Sequence, residues 1–301
     1  MSEIDVRRRA LLTAGAAAPL LWLPASARAA LAPGSHKLQV EAPTLGATAE
    51  PVTVYAHRPA SWKADGPVAL VLHGTNRDAD RYLATWVPLA ESAGVLVAVP
   101  EFSESKFPRR AFYNFGNVVD ENMALRPRAA WTFPVADLAF EAVRREFGAQ
   151  RERYALYGHS AGAQFAHRYL LLAQASRASL IITANAGSYT VPDAAVEFPW
   201  GLKNTDVTDA DLTRAFAREV VILLGEQDND PAHRTLPSDA QAKAQGPHRL
   251  ARGQHFFERS RESAARLNVP FRWRLQTVPG VGHSDRGMSP AAMQLIVEAG
   301  R

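Results

Sequence analysis

Apolar positions along the chain fall into two alternating rhythms. Val68 to Leu72, Val95 to Val99, Tyr154 to Tyr157, Leu180 to Thr183 and Val220 to Leu224 are short runs, apolar at nearly every position. Strands of that kind are buried on both faces, as in the middle of a parallel sheet. Between them the apolar positions take a helical period: Leu83, Trp86, Val87 and Ala90 within residues 78–93, Val135, Leu138, Ala139, Ala142 and Val143 within 131–147, and Phe165, Tyr169 and Leu172 after Ala161. Leu38 to Val40, Val52 to Ala56 and Phe271 to Thr277 alternate instead, which suits half-exposed edge strands, the first two antiparallel. A last helix is expected over residues 290–298.

Strands alternating with helices predict an α/β fold, a doubly wound and mostly parallel sheet of about eight strands, whose ligands bind beyond the carboxyl ends of the strands. Two stretches, residues 185–218 and 229–270, are too long for turns and too short for a domain, and are expected to form lid-like pocket walls. Tyr189, Phe198 and Trp200 are their candidates for contact with an acyl or polymer chain; the alternative is that these rings anchor the loops to the core.

Composition narrows the class. A chain of 301 residues, 47% apolar and without an eighteen-residue apolar run, suits one large domain over residues 30–301. Residues 1–29 read as a signal peptide: Arg7, Arg8 and Arg9 precede the moderately apolar stretch Ala10 to Leu23, and small-residue cleavage sites end at Ala27 and Ala29. Arg8-Arg9-Ala10-Leu11-Leu12 is similar to the twin-arginine pattern, with a general secretory signal as the alternative. The expected partner of the leader is therefore the export machinery, with the mature protein periplasmic or secreted. Loss of the leader removes four arginines and two acids, leaving thirty bases against twenty-eight acids. That near balance argues for neither nucleic acid nor a membrane surface, and no stable membrane insertion is expected after cleavage. Zero cysteines exclude disulfides and thiolate chemistry.

The candidate chemistry centres on Tyr154 to Gly162, YALYGHSAG, with Gly158, Ser160 and Gly162 in a G-x-S-x-G spacing between a strand pattern and a helix pattern. A chain that reverses sharply from strand to helix needs glycines on either side of the apex, because a Cβ there would strike its neighbours. The serine is presented to substrate, and the next amide, that of Ala161, points at the same spot. A serine hydroxyl is a weak nucleophile and needs an imidazole to take its proton and a carboxylate to orient that imidazole. His283, in the loop Val278-Pro279-Gly280-Val281-Gly282-His283 after the last strand, is the best-placed base. Gly225-Glu226-Gln227-Asp228-Asn229-Asp230 offers three acids after the preceding strand; Asp228, third past the glycine, is preferred, with Asp230 and then Glu226 as alternatives. The second oxyanion donor is expected in Leu72-His73-Gly74-Thr75-Asn76, with the Thr75 amide pointing inward and His73 holding the loop. Asn76, Tyr189 and Trp200 are the candidate substrate contacts. His159 reads as a packing side chain, His167-Arg168 as a solvated or loop-anchoring pair, Asn185 as pocket lining, and the basic run Pro247 to Arg252 as a wet loop. No metal-ligand signature is found.

These motifs, LHGT, YGHSAGAQFAHR, LLGEQDND and VPGVGH, resemble the α/β-hydrolase superfamily, as does the order serine, acid, histidine. Within it the chain looks most like secreted esterases of the poly(3-hydroxybutyrate) depolymerase-like and feruloyl-esterase-like group. The resemblance implies cofactor-free hydrolysis of a carboxylic ester, on small esters or polyester oligomers, through an acyl-enzyme with Ser160, Asp228 and His283 at the triad positions. The chain departs from many extracellular depolymerases in lacking disulfides and any linker with a substrate-binding module. The alternatives are an amidase or peptidase on the same triad and a non-catalytic binding protein of hydrolase fold.

Overall fold

The computed structural model describes residues 30–173 and 177–300; the expected leader, residues 1–29, lies outside them. Among the described residues eight strands form one sheet: β1 (Gly34–Val40), β2 (Val52–Arg58), β3 (Val68–Leu72), β4 (Leu96–Pro100), β5 (Tyr154–His159), β6 (Ala178–Ala184), β7 (Glu219–Gly225) and β8 (Trp273–Val278), in the order β1-β2-β4-β3-β5-β6-β7-β8. The pairs β1/β2 and β2/β4 are antiparallel and all others parallel. The alternating segments at the two ends of the sequence thus occupy the two edges of the sheet, where one side meets water.

The helices are α1 (Ala79–Ala93), α2 (Arg109–Phe112), α3 (Pro134–Phe147), α4 (Ala161–Leu172), α5 (Asp209–Phe216), α6 (Ala240–Ala244), α7 (Arg249–Arg266) and α8 (Asp285–Gly300), with a 3₁₀ turn at Arg128–Ala130. Strand pleating sorts the core into two layers. Ala69, Val71, Val97, Tyr157, Ile182 and Leu223 point to one face and pack with residues of α1 and α8. Leu70, Leu72, Ala98, Leu156, Ile181 and Ile222 point to the other, against α3, α4 and α7. Two-sided burial is what makes these strands apolar at consecutive positions. The chain runs β3 to β4 one way and then returns to β5 on the other side of β3. The crevice at such a switch point, outside the carboxyl ends of β3 and β5, is where ligands sit in open α/β sheets.

Two expectations are corrected. The final helix begins at Asp285, five residues before Pro290. The Ser284 hydroxyl accepts from the Gly287 N–H, which caps the extra turn, and the Ser289 hydroxyl donates to the Arg286 carbonyl that Pro290 cannot reach. Nearly half of the expected insertion 229–270 is not lid but the eighteen-residue α7, part of the crossover between β7 and β8. Its inward face is Arg249, Arg252, Gly253, Phe256, Ser260, Ser263 and Ala264, a helical stripe so polar that hydropathy does not reveal it. Residues 101–133 carry no strong periodicity yet bury Phe102, Phe107, Tyr113 and Val118 and form a wall of the site.

Candidate active site

Ser160 sits between β5 and α4 with φ +56° and ψ −110°, a conformation that costs a side-chain-bearing residue about 1–3 kcal/mol. Close contacts impose it. A Cβ on Gly162 would lie 2.3 Å from the Leu72 carbonyl oxygen of β3, and one on Gly158 would lie 2.2 Å from the Gly162 carbonyl oxygen. The Ser160 N–H donates to the Ala184 carbonyl of β6 at 2.9 Å. The serine is therefore held from below by backbone alone.

The three residues from distant parts of the sequence meet at this rim. His283 Nε2 lies 3.1 Å from Ser160 Oγ, and His283 Nδ1 lies 2.8 Å from Asp228 Oδ2. Asp228 is 3% exposed, whereas the competing acids are engaged elsewhere: Asp230 accepts from the Ala232 N–H, and Glu226 from the Thr277 hydroxyl. The imidazole is flanked by two further rings, His159 at 4.9 Å and His233 at 5.1 Å between centroids. Burial pushes His159 well below the ordinary histidine range, so it is neutral, and its Nδ1 contacts the Tyr82 hydroxyl at 2.8 Å. That agrees with a packing role for His159. The sequence did not single out His233 or Tyr82.

Asn185 is not pocket lining. Fully buried, it accepts from the Gly225 N–H at 2.9 Å and donates to the Gly282 carbonyl at 3.2 Å, bracing the acid loop against the histidine loop. Thr75 and Ala161 line a cavity together with Ser160. As the first residue of α4, Ala161 carries an amide that no helix carbonyl can satisfy. His73 fixes the Thr75 loop: its Nδ1 donates to the Gly74 carbonyl, its Nε2 accepts from the Phe102 N–H, and burial lowers its pKa to about 4. The proton on Nδ1 follows from that acceptance at Nε2.

Ser160 opens on two cavities that share Thr75, Arg234 and Thr235. One of about 300 Å³ lies on the His283 side, with Asn76, Arg81, Asp285 and Arg286. The other, about 570 Å³, lies on the Ala161 side with Arg110, Asn114, Gln164 and Leu236. Asn76 is thus at the site as expected, but Tyr189 and Trp200 are not. Tyr189 is wholly buried, stacked on Phe256 of α7 at 4.7 Å with its N–H on the Gln245 side chain. Trp200 lines neither cavity; its turn packs by backbone bonds to Val191 and Glu197. The Tyr189 ring anchors its loop, the alternative reading of these aromatics. His167 and Arg168, both buried, anchor too: His167 Nε2 accepts from the Thr190 N–H, and Arg168 donates to the Asn114, Gln164 and Pro199 carbonyls. The basic run Pro247 to Arg252 is no wet loop, since Arg249 and Arg252 are each 1% exposed.

Among solved structures, poly(aspartic acid) hydrolase-1 from Sphingomonas sp. KT-1 is 38% identical, with a TM-score of 0.84 over 88% of this chain and 99% of that one. The chain belongs to the α/β-hydrolase superfamily. It is a serine hydrolase, and its group includes the poly(3-hydroxybutyrate) depolymerase LpqC from Bordetella parapertussis, 33% identical with a TM-score of 0.81 over 88% of this chain and 90% of that one. A siderophore hydrolase from Aspergillus nidulans shares the fold at 16% identity and a TM-score of 0.55, over 90% of this hydrolase and 97% of that chain. No protein-family model and no curated protein sequence matches the chain.

Proposed function

We propose that this hydrolase cleaves carboxylic esters, small or oligomeric, outside the cytoplasm and through an acyl-enzyme. The observation that carries the reading is the unbroken line Ser160 Oγ, His283 and Asp228 at 3.1 and 2.8 Å on a strained elbow. Ser160 Oγ attacks the carbonyl carbon while His283 Nε2 takes its proton, and Asp228 holds the Nδ1–H and stabilises the imidazolium. The amides of Ala161 and Thr75 receive the oxyanion. Collapse breaks the bond to the leaving oxygen, which takes the proton back from His283. Water, deprotonated by the same imidazole, then releases the acid and restores Ser160. The polar lining of both cavities suits short or oxygen-rich acyl groups better than long alkyl chains. Export rests on the leader pattern of residues 1–29.

Amide hydrolysis on the same residues is a second reading, supported by a specific feature. Arg110, Arg234 and Arg286 stand exposed on the cleft, where a chain bearing carboxylates would meet them, and a relative at 38% identity is named a poly(aspartic acid) hydrolase. Matched p-nitrophenyl esters and anilides, with 3-hydroxybutyrate oligomers and poly(aspartic acid), separate the two readings. Ser160→Ala is expected to lower turnover of the preferred substrate by about 10⁴ or more while leaving the fold intact. An active Ser160→Ala enzyme removes both readings. Fractionation of cells expressing the whole chain tests export.

A further inference from the structure

Among the described residues three guanidinium groups are buried, and they are not alike. Arg168 and Arg252 donate only to carbonyls: Asn114, Gln164 and Pro199 for the first, Gly187, Pro237 and Gly246 for the second. Arg249, the first residue of α7, instead faces a carboxylate. Its Nη1 lies 3.5 Å from Asp228 Oδ1, the oxygen that His283 does not use, with both side chains almost wholly buried. Its Nη2 donates to the Thr235 hydroxyl at 2.9 Å. Having accepted there, Thr235 donates to His233 Nδ1 at 3.2 Å, and the His233 ring faces His283. A closed circuit therefore runs from His283 through Asp228, Arg249, Thr235 and His233 back to His283. Thr235 also walls both cavities.

We propose that Arg249 is a positioning residue, which keeps the triad acid ionised and aimed at His283 and, through Thr235, fixes the cleft wall against the same acid. The inference rests on the triad reading above. A carboxylate with almost no water contact needs a counter-charge or it takes up a proton, and a protonated acid no longer holds the imidazole in its reactive tautomer. The 3.5 Å separation lets Arg249 supply charge without displacing the shorter His283 contact. Charged and titratable groups facing the pair are Ser160 and His159 from the elbow, His233 and Asp230 from the 229–248 segment, Tyr189 from the loop after β6, and Arg249 itself. Arg249 is the permanent cation among them, so its removal leaves the buried Asp228 carboxylate without its compensating charge.

The test compares Arg249→Met, Arg249→Lys and Thr235→Val in the full chain with a soluble p-nitrophenyl ester and a fluorophosphonate probe. Arg249→Met is expected to lower kcat and the labelling rate by about 10² with KM within a few-fold, and to move the acid limb of kcat/KM to higher pH. Arg249→Lys should recover most of kcat and restore the limb. Thr235→Val, which frees the wall but keeps the ion pair, should raise KM and leave the limb in place. The proposal is overturned by an Arg249→Met enzyme with kcat within threefold of wild type and an unmoved limb. Equal impairment of the Lys and Met variants with unmoved limbs also overturns it, because that is what a purely structural arginine gives. If Arg249→Met does not fold, an Arg249→Lys enzyme impaired by about 10² with an unmoved limb, or a Thr235→Val enzyme that moves the limb, overturns the proposal instead. A wild-type protein unlabelled at Ser160 sinks the triad reading instead, so the two failures are distinguishable.

Discussion

The nucleophile and the acid–base pair of this hydrolase are held by different kinds of matter. Ser160 is fixed by backbone: glycines that admit the Leu72 and Gly162 carbonyls, and a hydrogen bond from its N–H to the Ala184 carbonyl of β6. Asp228 and His283 are fixed by side chains from elsewhere, Asn185 after β6 and Arg249 on α7, together with loop-to-loop bonds such as Gln227 N–H to the Val281 carbonyl. The side chains of the first arrangement lie within nine consecutive residues, seated against backbone of β3 and β6. The second is spread over four segments, and each of its parts can be removed alone.

The sharpest way to probe the side-chain half is at the acid. Asp228→Asn keeps the shape but presents the wrong partner to His283 Nδ1, and is expected to lower kcat by about 10³ to 10⁴. Asp230→Asn, which loses only a loop-capping bond to Ala232, should stay within threefold of wild type. Steady-state kinetics on one ester decides; equal losses would mean that the acid is shared or misassigned. In the backbone half the largest effect should be on stability. Gly162→Ala puts a methyl group 2.3 Å from a main-chain oxygen of a central strand, where neither partner can swing away. A loss of about 3 kcal/mol or more in urea unfolding is expected, against little change for an alanine placed on the exposed end of α1.

Asn185 offers a graded break. Asn185→Ala removes both bonds that tie Gly225 to Gly282, so the acid and base loops lose register without losing chemistry. A fall in kcat of about tenfold is expected, accompanied by a small loss of stability from two unsatisfied buried backbone groups. Unchanged kcat would show that the loop-to-loop backbone bonds alone keep the register.

Legibility followed the same division. Strands buried on both faces and the G-x-S-x-G turn are patterns of neighbouring residues, so the sheet, the elbow and the choice of Ser160 could be read directly from the string. The Asp228 and His283 positions were legible because each follows a strand end and a glycine. The side chains that hold them were not. Asn185 and Arg249 act across 40 and 21 residues of sequence, and α7 hid its inward arginines and serines from any hydropathy pattern. Tyr189 and Trp200 failed for the converse reason, since aromatic residues in a long loop favour burial and lining equally until packing decides.

Buried titratable groups decide how the side-chain half responds to acid. His73, which holds the Thr75 loop, has a folded pKa lowered by burial to about 4, below the ordinary 6.5, and burial lowers His167 and His159 in the same direction. Below pH 6.5 the unfolded chain then binds more protons than the folded one, so stability rises with pH between about 4 and 6.5 and is lost as pH falls through that window. Asp285 opposes this. Burial raises its carboxyl from 3.8 to about 7, the folded state binds the extra proton, and stability falls as pH rises across that span. Three histidines against one acid should leave the melting temperature rising from pH 4.5 to 6.5. Asp285→Asn, which can still accept from the Tyr157 hydroxyl, removes the opposing group; the rise should steepen, and stability at pH 8 should gain on the order of 2–4 kcal/mol. Melting curves of wild type and variant across pH 4.5–8 measure both slopes. A variant whose curve parallels wild type would mean that Asp285 is already ionised at neutral pH, and that the Arg81 guanidinium on the rim, rather than burial, governs it.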